Sequence, residues 1–296
     1  MNERRGFPIS RRGFMAGVAA SAVAMSLPLA EGMARQDAAV YTFVVIGTDR
    51  RTPEDPELSD VLMISRVDTG AGTVRTLSIP RDLYVDVPGY GWAKINEGFN
   101  QAVKADPNQS WQSGAQGTVN TIQQNFGLVI DGVAQTDMQL FIEFIDRLGG
   151  VTVYNPYDLT DKYWNGMVLP EGPLELDGEL AQRYVRARSQ DGDGGRNMRQ
   201  HLVLMAILKK LQDPAVIPQI PELVVTMSDL VRTTIPAEVQ AQLIAMIPEL
   251  SEEDIVFGNL DSQLWSGYTE GGAWIYQGDW ATLPGYVDSW LNGIAG

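Results

Sequence analysis

Residues 61–67 and 73–79 are two runs dominated by Val, Ile, Leu, Ser and Thr, and only Asp68-Thr69-Gly70-Ala71-Gly72 stands between them. A joint this short and this rich in turn formers makes the pair an antiparallel hairpin. Any sheet built around it is therefore mixed and not purely parallel. The same hairpin sets what lies at its open end. Asp60 precedes the first run, and Arg81-Asp82 follow the second behind Pro80, so a carboxylate and an Arg-Asp pair meet at one edge. That edge reads either as a site or as a structural ion pair.

The rest of the chain alternates between strand and helix patterns. Residues 40–46 form a buried-strand run ended by Gly47, which puts Thr48-Asp49-Arg50-Arg51 at its C-terminal edge. Loops at such edges commonly hold ligands in α/β folds, with a solvated turn as the alternative. Residues 83–91 read as a short strand and an aromatic turn. Lys94-Ile95-Asn96 then lead into a helix containing Ala102 and Val103, with Lys94 either a phosphate contact or a solvated lysine. Further helices are expected from about 113 to 126, from 140 to 148, through 180–185 and over 196–208, with strands over 128–134 and 151–153. The glycine-rich segment 190–195 separates the last two helices. This alternation predicts an α/β fold with a mixed central β-sheet flanked by α-helices. Residues 155–173, carrying Tyr157, Tyr163 and Trp164, read as an ordered loop or lid. Beyond Pro214 come helical pieces at 220–225 and 236–247 and an aromatic, glycine-rich end. That end suits a core cover, a polymer-binding rim or a partner surface equally well.

Charge narrows the chemistry. The chain has 22 basic and 37 acidic residues, yet Arg183, Arg186, Arg188, Arg196 and Arg199 are concentrated in one short stretch. Guanidinium forks on an acidic protein call for a matching anion, and phosphate or diphosphate fits them best. A net charge of -15 argues against nucleic acid as a partner, because backbone recognition needs a broad basic face. With no cysteine and a single histidine, His201, any metal is held by oxygen donors.

The N-terminus looks like an export signal. Arg4, Arg5, Arg11 and Arg12 precede an apolar run over 14–30, and Arg11-Arg12 gives it a twin-arginine character. Pro28 and the shortness of the run oppose a bilayer span. Residues 1–34 are thus expected to be a signal and 35–296 a single catalytic domain with an aromatic C-terminal segment. Loss of residues 1–30 would leave 18 basic against 36 acidic residues, a net charge of -18.

Taken together, Gly47-Thr48-Asp49-Arg50-Arg51, Ser59-Asp60, Ser78-Ile79-Pro80-Arg81-Asp82, the segment from Gly89 to Asn96, Tyr184-Val185-Arg186-Ala187-Arg188, Asp191-Gly192-Asp193, Arg196 and Arg199-Gln200 resemble the LytR-CpsA-Psr family. The likeness spans roughly residues 40–212. It implies extracytoplasmic enzymes at the outer face of the cytoplasmic membrane, which move a glycopolymer from a polyprenyl diphosphate carrier to peptidoglycan. It further implies magnesium or manganese held by Asp49 and Asp60, with Asp193 as a third participant. The diphosphate would be gripped by Arg81, Arg186, Arg188 and Arg196, with Lys94 beside them and Arg199 supporting substrate or fold. Asp82 would orient an arginine or take the acceptor proton. The implied apolar channel for the lipid has residues 117–126 and 198–208 as candidate walls. Two departures stand out. Leu58 occupies the position where the family usually has arginine, so Arg50 or Arg51 is the expected replacement contact, and a cleavable signal would replace the usual anchor, with retention of the run as an anchor the alternative. A polyprenyl-diphosphate-glycan phosphatase and a noncatalytic wall-binding protein are the competing readings.

Overall fold

The expected hairpin forms between β2 and β3, beside a first strand that pairs with it. The computed structural model describes residues 39–49, 58–220, 222–223 and 230–294; the expected signal and the Arg50-Arg51 loop lie outside them. Strand β2 (Leu58–Asp68) runs antiparallel to both β1 (Val40–Asp49) and β3 (Thr73–Ser78). Met63 faces Ser78 and Asp68 faces Thr73. The turn is closed by Asp68 Oδ1, which accepts from the backbone N–H of Gly70 at 2.9 Å and of Ala71 at 2.8 Å, the local bonding that favours Asp in turns.

A second hairpin follows, β4 (Tyr84–Val87) with β5 (Gly91–Lys94), and then helices α1 (Glu97–Ala105) and α2 (Trp111–Phe126). Ser110 caps α2 at its start, and Gly127 ends it with φ 69°, a left-handed conformation that suits glycine. α1 and α2 pack closely enough that a Cβ on Gly117 would lie 2.3 Å from Ala102 Cβ and 2.4 Å from the Gly98 carbonyl oxygen.

β6 (Gly132–Asp137) runs parallel to β1 from the Phe43–Gly132 pair onward. The strand expected over 128–134 is thus displaced toward the C-terminus. Val129 is 73 % exposed, so the apolar run was partly a surface loop. After α3 (Met138–Arg147), β7 (Val151–Asn155) does not return to the main sheet; it pairs with β10 (Gly172–Leu176). Between these two strands the expected lid holds a small hairpin of β8 (Leu159–Thr160) and β9 (Val168–Leu169).

α4 (Gly178–Arg186) and α5 (Gly192–Leu211) come next, α5 starting inside the glycine-rich segment expected to separate them. Of the helix expected over 220–225, residues 220, 222 and 223 are helical and the other three lie outside the described residues. β11 (Arg232–Thr233), α6 (Ala237–Met246), β12 (Ile255–Asn259), the ribbon of β13 (Leu264–Tyr268) with β14 (Trp274–Gly278), and α7 (Leu283–Leu291) complete the chain. The main sheet has the order β11-β6-β1-β2-β3-β12, with β1–β6 and β3–β12 parallel.

Alternation along the strands sorts side chains to two faces. Phe43 and Met63 join a core that includes Phe144 of α3, Tyr184 of α4, Val203 of α5 and Leu243 of α6. Val44, Ile46, Leu62 and Ile64 join a second core with Phe99 of α1, Ile122 of α2 and Val287 of α7. Helices therefore cover both faces of one mixed sheet. No helix among the described residues is long and apolar enough to cross a membrane.

Candidate active site

Register alone brings Asp60 and Arg81 together at the open end of the β2–β3 hairpin. Arg81 Nη1 lies 2.6 Å from Asp60 Oδ1 and its Nε 3.4 Å from Asp82 Oδ2, while Lys94 Nζ lies 2.5 Å from Asp82 Oδ1. The four groups form a row of alternating sign. Burial by itself lowers the Arg81 pKa, but the Asp60 and Asp82 carboxylates outweigh it and raise the value, so the guanidinium stays charged. The backbone around the row is fixed: Ile95 N–H donates to Leu83 O at 2.8 Å, and Tyr276 N–H donates to Asp82 O at 2.9 Å. Both oxygens of the buried Asp82 are held by cations. Of its two expected roles, this geometry fits the orienting one.

Two cavities meet at Asp60. One is open to solvent at its mouth and is lined by Val45, Met63, Phe141, Val185, Val203 and Leu204, with Thr48 and Asp60 among its few polar walls. The other, much narrower, is lined by Asp60, Ser78, Arg196, Asn197, Asp261 and Tyr276. Asp60, Val61 and Gln200 belong to both. The apolar cavity lies over β6, β1 and β2, and the polar one over β2 and β3, so β2 divides them. Of the two helices expected to wall an apolar channel, α5 does so and α2 does not, because α2 packs on the opposite face of the sheet. α3 supplies the missing wall through Met138 and Phe141.

The arginine cluster divides by role. Arg196 lines the polar cavity. Arg186 is half-buried at the end of α4, one residue after Val185 of the apolar cavity. Arg188 is exposed, and its backbone N–H donates to Asp161 Oδ2 at 3.1 Å. Arg199, expected to grip the diphosphate or support the fold, is 0 % exposed. Its Nη1 and Nη2 reach the two Asp191 oxygens at 2.6 and 2.9 Å, its Nε donates to Tyr184 O at 3.1 Å, and its Nη2 also donates to Ala187 O. A guanidinium used up in this way ties α4 to α5 and has no face for substrate. Asp191 is also the acceptor for the Tyr157 hydroxyl. Burial pushes the Asp191 pKa up, but the bonds from Arg199 and Tyr157 prevail and lower it. Tyr157 is pushed up to about 12, first by burial and then by its bond to Asp191.

β1 ends at Asp49, which pairs with Leu58 across the strand gap, so its backbone stands at the same sheet edge as Asp60. The side chains of Asp49 and Asp193, and all of Arg51, lie outside what the structure describes. His201 is half-buried, and desolvation of its ring drives its pKa well below 6.5. Nothing in the sequence singled out Asp261; Tyr276 stood out only as one ring of the aromatic end, whose strands were not legible, and Gln200 only as part of a motif.

A model of the LytR_cpsA_psr family matches residues 18–284. The polyisoprenyl-teichoic acid–peptidoglycan teichoic acid transferase TagU of Oceanobacillus iheyensis is 32% identical over 169 residues, covering 56% of this chain and 50% of that protein. TagU of Halalkalibacterium halodurans is 32% identical over 174 residues, covering 57% and 53%. The match thus spans about half the length of these curated relatives. The crystal structure of B. subtilis TagV shares the fold at TM-score 0.68 and 23% identity, covering 87% of this chain and 99% of that one. A structure of TagT bound to LI-WTA aligns at TM-score 0.64 and 25% identity, covering 86% and 90%.

Proposed function

The chain belongs to the LytR_cpsA_psr family, and on that premise we propose that it is a phosphotransferase that moves a glycopolymer from a polyprenyl diphosphate to a peptidoglycan hydroxyl outside the cytoplasmic membrane. The observation that carries this reading is the Asp60–Arg81 pair at the wall common to an apolar and a polar cavity. A lipid-linked diphosphate has the same division, an apolar tail joined to a charged and hydrated head. The TagU relatives are named as teichoic acid transferases acting on peptidoglycan, which supports the same assignment.

In this mechanism the prenyl tail occupies the cavity of Val45, Met63, Phe141, Val203 and Leu204, and the diphosphate sits at its mouth. Arg81, Arg186 and Arg196 face it, with Arg188 at the rim and Lys94 holding Asp82 in line. A muramic-acid hydroxyl attacks the glycan-proximal phosphorus. The new O–P bond forms as the bond from that phosphorus to the bridging oxygen breaks. Polyprenyl phosphate leaves with the electron pair, the hydroxyl proton passes to solvent, and the polymer stays joined through a phosphodiester. Fixed guanidinium charge aimed at the phosphoryl oxygens lowers the barrier where negative charge builds.

A divalent cation fits the donors present. Asp60 lines both cavities, and among the described residues only its Oδ1 is engaged, which leaves a hard oxygen of the kind magnesium takes. Asp49 and Asp60 would hold the ion, with Asp193 as a third candidate. Bound magnesium or manganese would supply Lewis-acid neutralisation of the phosphoryl oxygens.

The test is incubation of the protein with a lipid-linked diphosphate, magnesium and oligomeric peptidoglycan, followed by mass analysis. A covalent phosphodiester adduct is expected. Release of glycan phosphate at the same rate with and without acceptor would make it a phosphatase, and an intact donor would make it a binding protein.

A further inference from the structure

The aromatic tail has a direction that the transfer reaction explains. Tyr276 of β14 lines the polar cavity together with Asp60 and Arg196. Trp274 lies two residues back on the same face of β14, its ring edge-on to Tyr276 at 4.7 Å between centroids. Tyr268 of β13 is the register partner of Trp274 and is 71 % exposed. Because paired residues in an antiparallel ribbon share a face, the three rings form one stripe leading from the cavity into solvent. Trp265 and Gln277 oppose one another on the other face, joined by a 3.1 Å bond.

We propose that the Tyr276–Trp274–Tyr268 stripe is the track on which the acceptor glycan strand lies, stacking its sugar rings on these aromatic faces. This rests on the phosphotransferase reading above and adds where the acceptor enters. Displacement at phosphorus places the attacking and leaving oxygens roughly in line. The leaving polyprenyl phosphate belongs to the apolar cavity, over β6, β1 and β2. The nucleophile then arrives from the other side of β2, where the polar cavity and Tyr276 lie. Large aromatic side chains suit a saccharide because they present an apolar face to the sugar C–H groups while the hydroxyls remain wet. Tyr276 and Trp274 are half-buried at the cavity end and Tyr268 is exposed at the outer end, so the stripe opens outward in the direction an entering glycan would take.

Binding of soluble, uncrosslinked peptidoglycan glycan strands to the full chain, followed by calorimetry, tests the track without requiring turnover. Trp274→Ala and Tyr268→Ala are each expected to weaken binding roughly 2- to 10-fold. Trp265→Ala, on the opposite face, is expected to leave it unchanged. Circular dichroism and a cooperative thermal transition should be retained in all three, which establishes that they fold. Equal affinity in the Trp274→Ala/Tyr268→Ala double variant, or an equal loss in Trp265→Ala, overturns the track even if transfer persists. Stripe-dependent glycan binding by a protein that transfers nothing would instead sink the phosphotransferase reading and leave the track standing.

Discussion

Replacing Asp191 by alanine removes the carboxylate that, among the described residues, pairs with the buried Arg199. Arg199 has five N–H donors, and the structure gives its guanidinium four contacts, two of them to Asp191. In Asp191→Ala the two carbonyl contacts remain, but the positive charge has no counter-ion in a side chain that is only 1% exposed. Breaking a buried pair from one side costs about 3–5 kcal/mol. The Asp191 side chain is itself 20% exposed, so water partly replaces it and the lower end, about 3 kcal/mol, is expected. For a domain of this size that is a fall in Tm of roughly 6–12 °C. Thermal unfolding followed by circular dichroism measures it. The companion variant is Asp191→Ala/Arg199→Leu, which removes the orphaned charge and should recover part of the loss. A Tm within about 2 °C of wild type for the single variant, or a double variant that loses the full sum of both singles, would refute the reasoning.

Four further outcomes are expected. Arg81→Gln should fold but lower kcat for transfer by about 10²–10³, the scale for one lost electrostatic donor, and a rate within a few-fold of wild type would remove Arg81 from the site. Leu204→Trp should narrow the apolar cavity and raise KM about tenfold for a long-chain donor while sparing a donor with a short tail, since added core volume acts where the chain must fit. At Asp161, burial pushes the pKa up, but the Ser189 side chain and the backbone N–H groups of Tyr163, Arg188 and Ser189 prevail and bring it from 3.8 to about 2. The folded state thus holds this proton less tightly than the unfolded one, and the stabilisation present above 3.8 is lost as pH falls toward about 2, so urea midpoints of Asp161→Asn should lack that part of the acid limb. Gly117→Ala gains about 1 kcal/mol of helix propensity yet should be destabilised by about 1–3 kcal/mol in denaturant unfolding, because its new methyl meets Ala102 and the Gly98 carbonyl.

What could be read in advance followed local rules. A turn of four residues, 69–72, sets the hairpin register, and the register brings Asp60 to Arg81 from positions twenty-one apart. The stripe of Phe144, Ile145 and Leu148 likewise marked a helix that is there. What could not be read depended on distant partners. β12 is a strand because Ile255 finds Val74 across 181 residues, and no local pattern announces that. The run at 128–134 misled because apolar composition does not separate a buried strand from a loop that exposes Val129. Arg199 looked like its neighbours in sequence. Only its position on the inner face of α5, under Tyr184 and Ala187, separates it from Arg196.

The polar cavity is finished last. Its floor comes from Asp60 and Ser78 and its side from α5, but Asp261 and Tyr276 close it from the final forty residues. Those residues are held by β12 docking parallel to β3, a non-local pairing of the slow-forming kind. The wall that Asp261 and Tyr276 give the polar cavity therefore depends on a pairing between residues 181 positions apart in the chain, so a substitution in β12 can open a cavity that it does not touch.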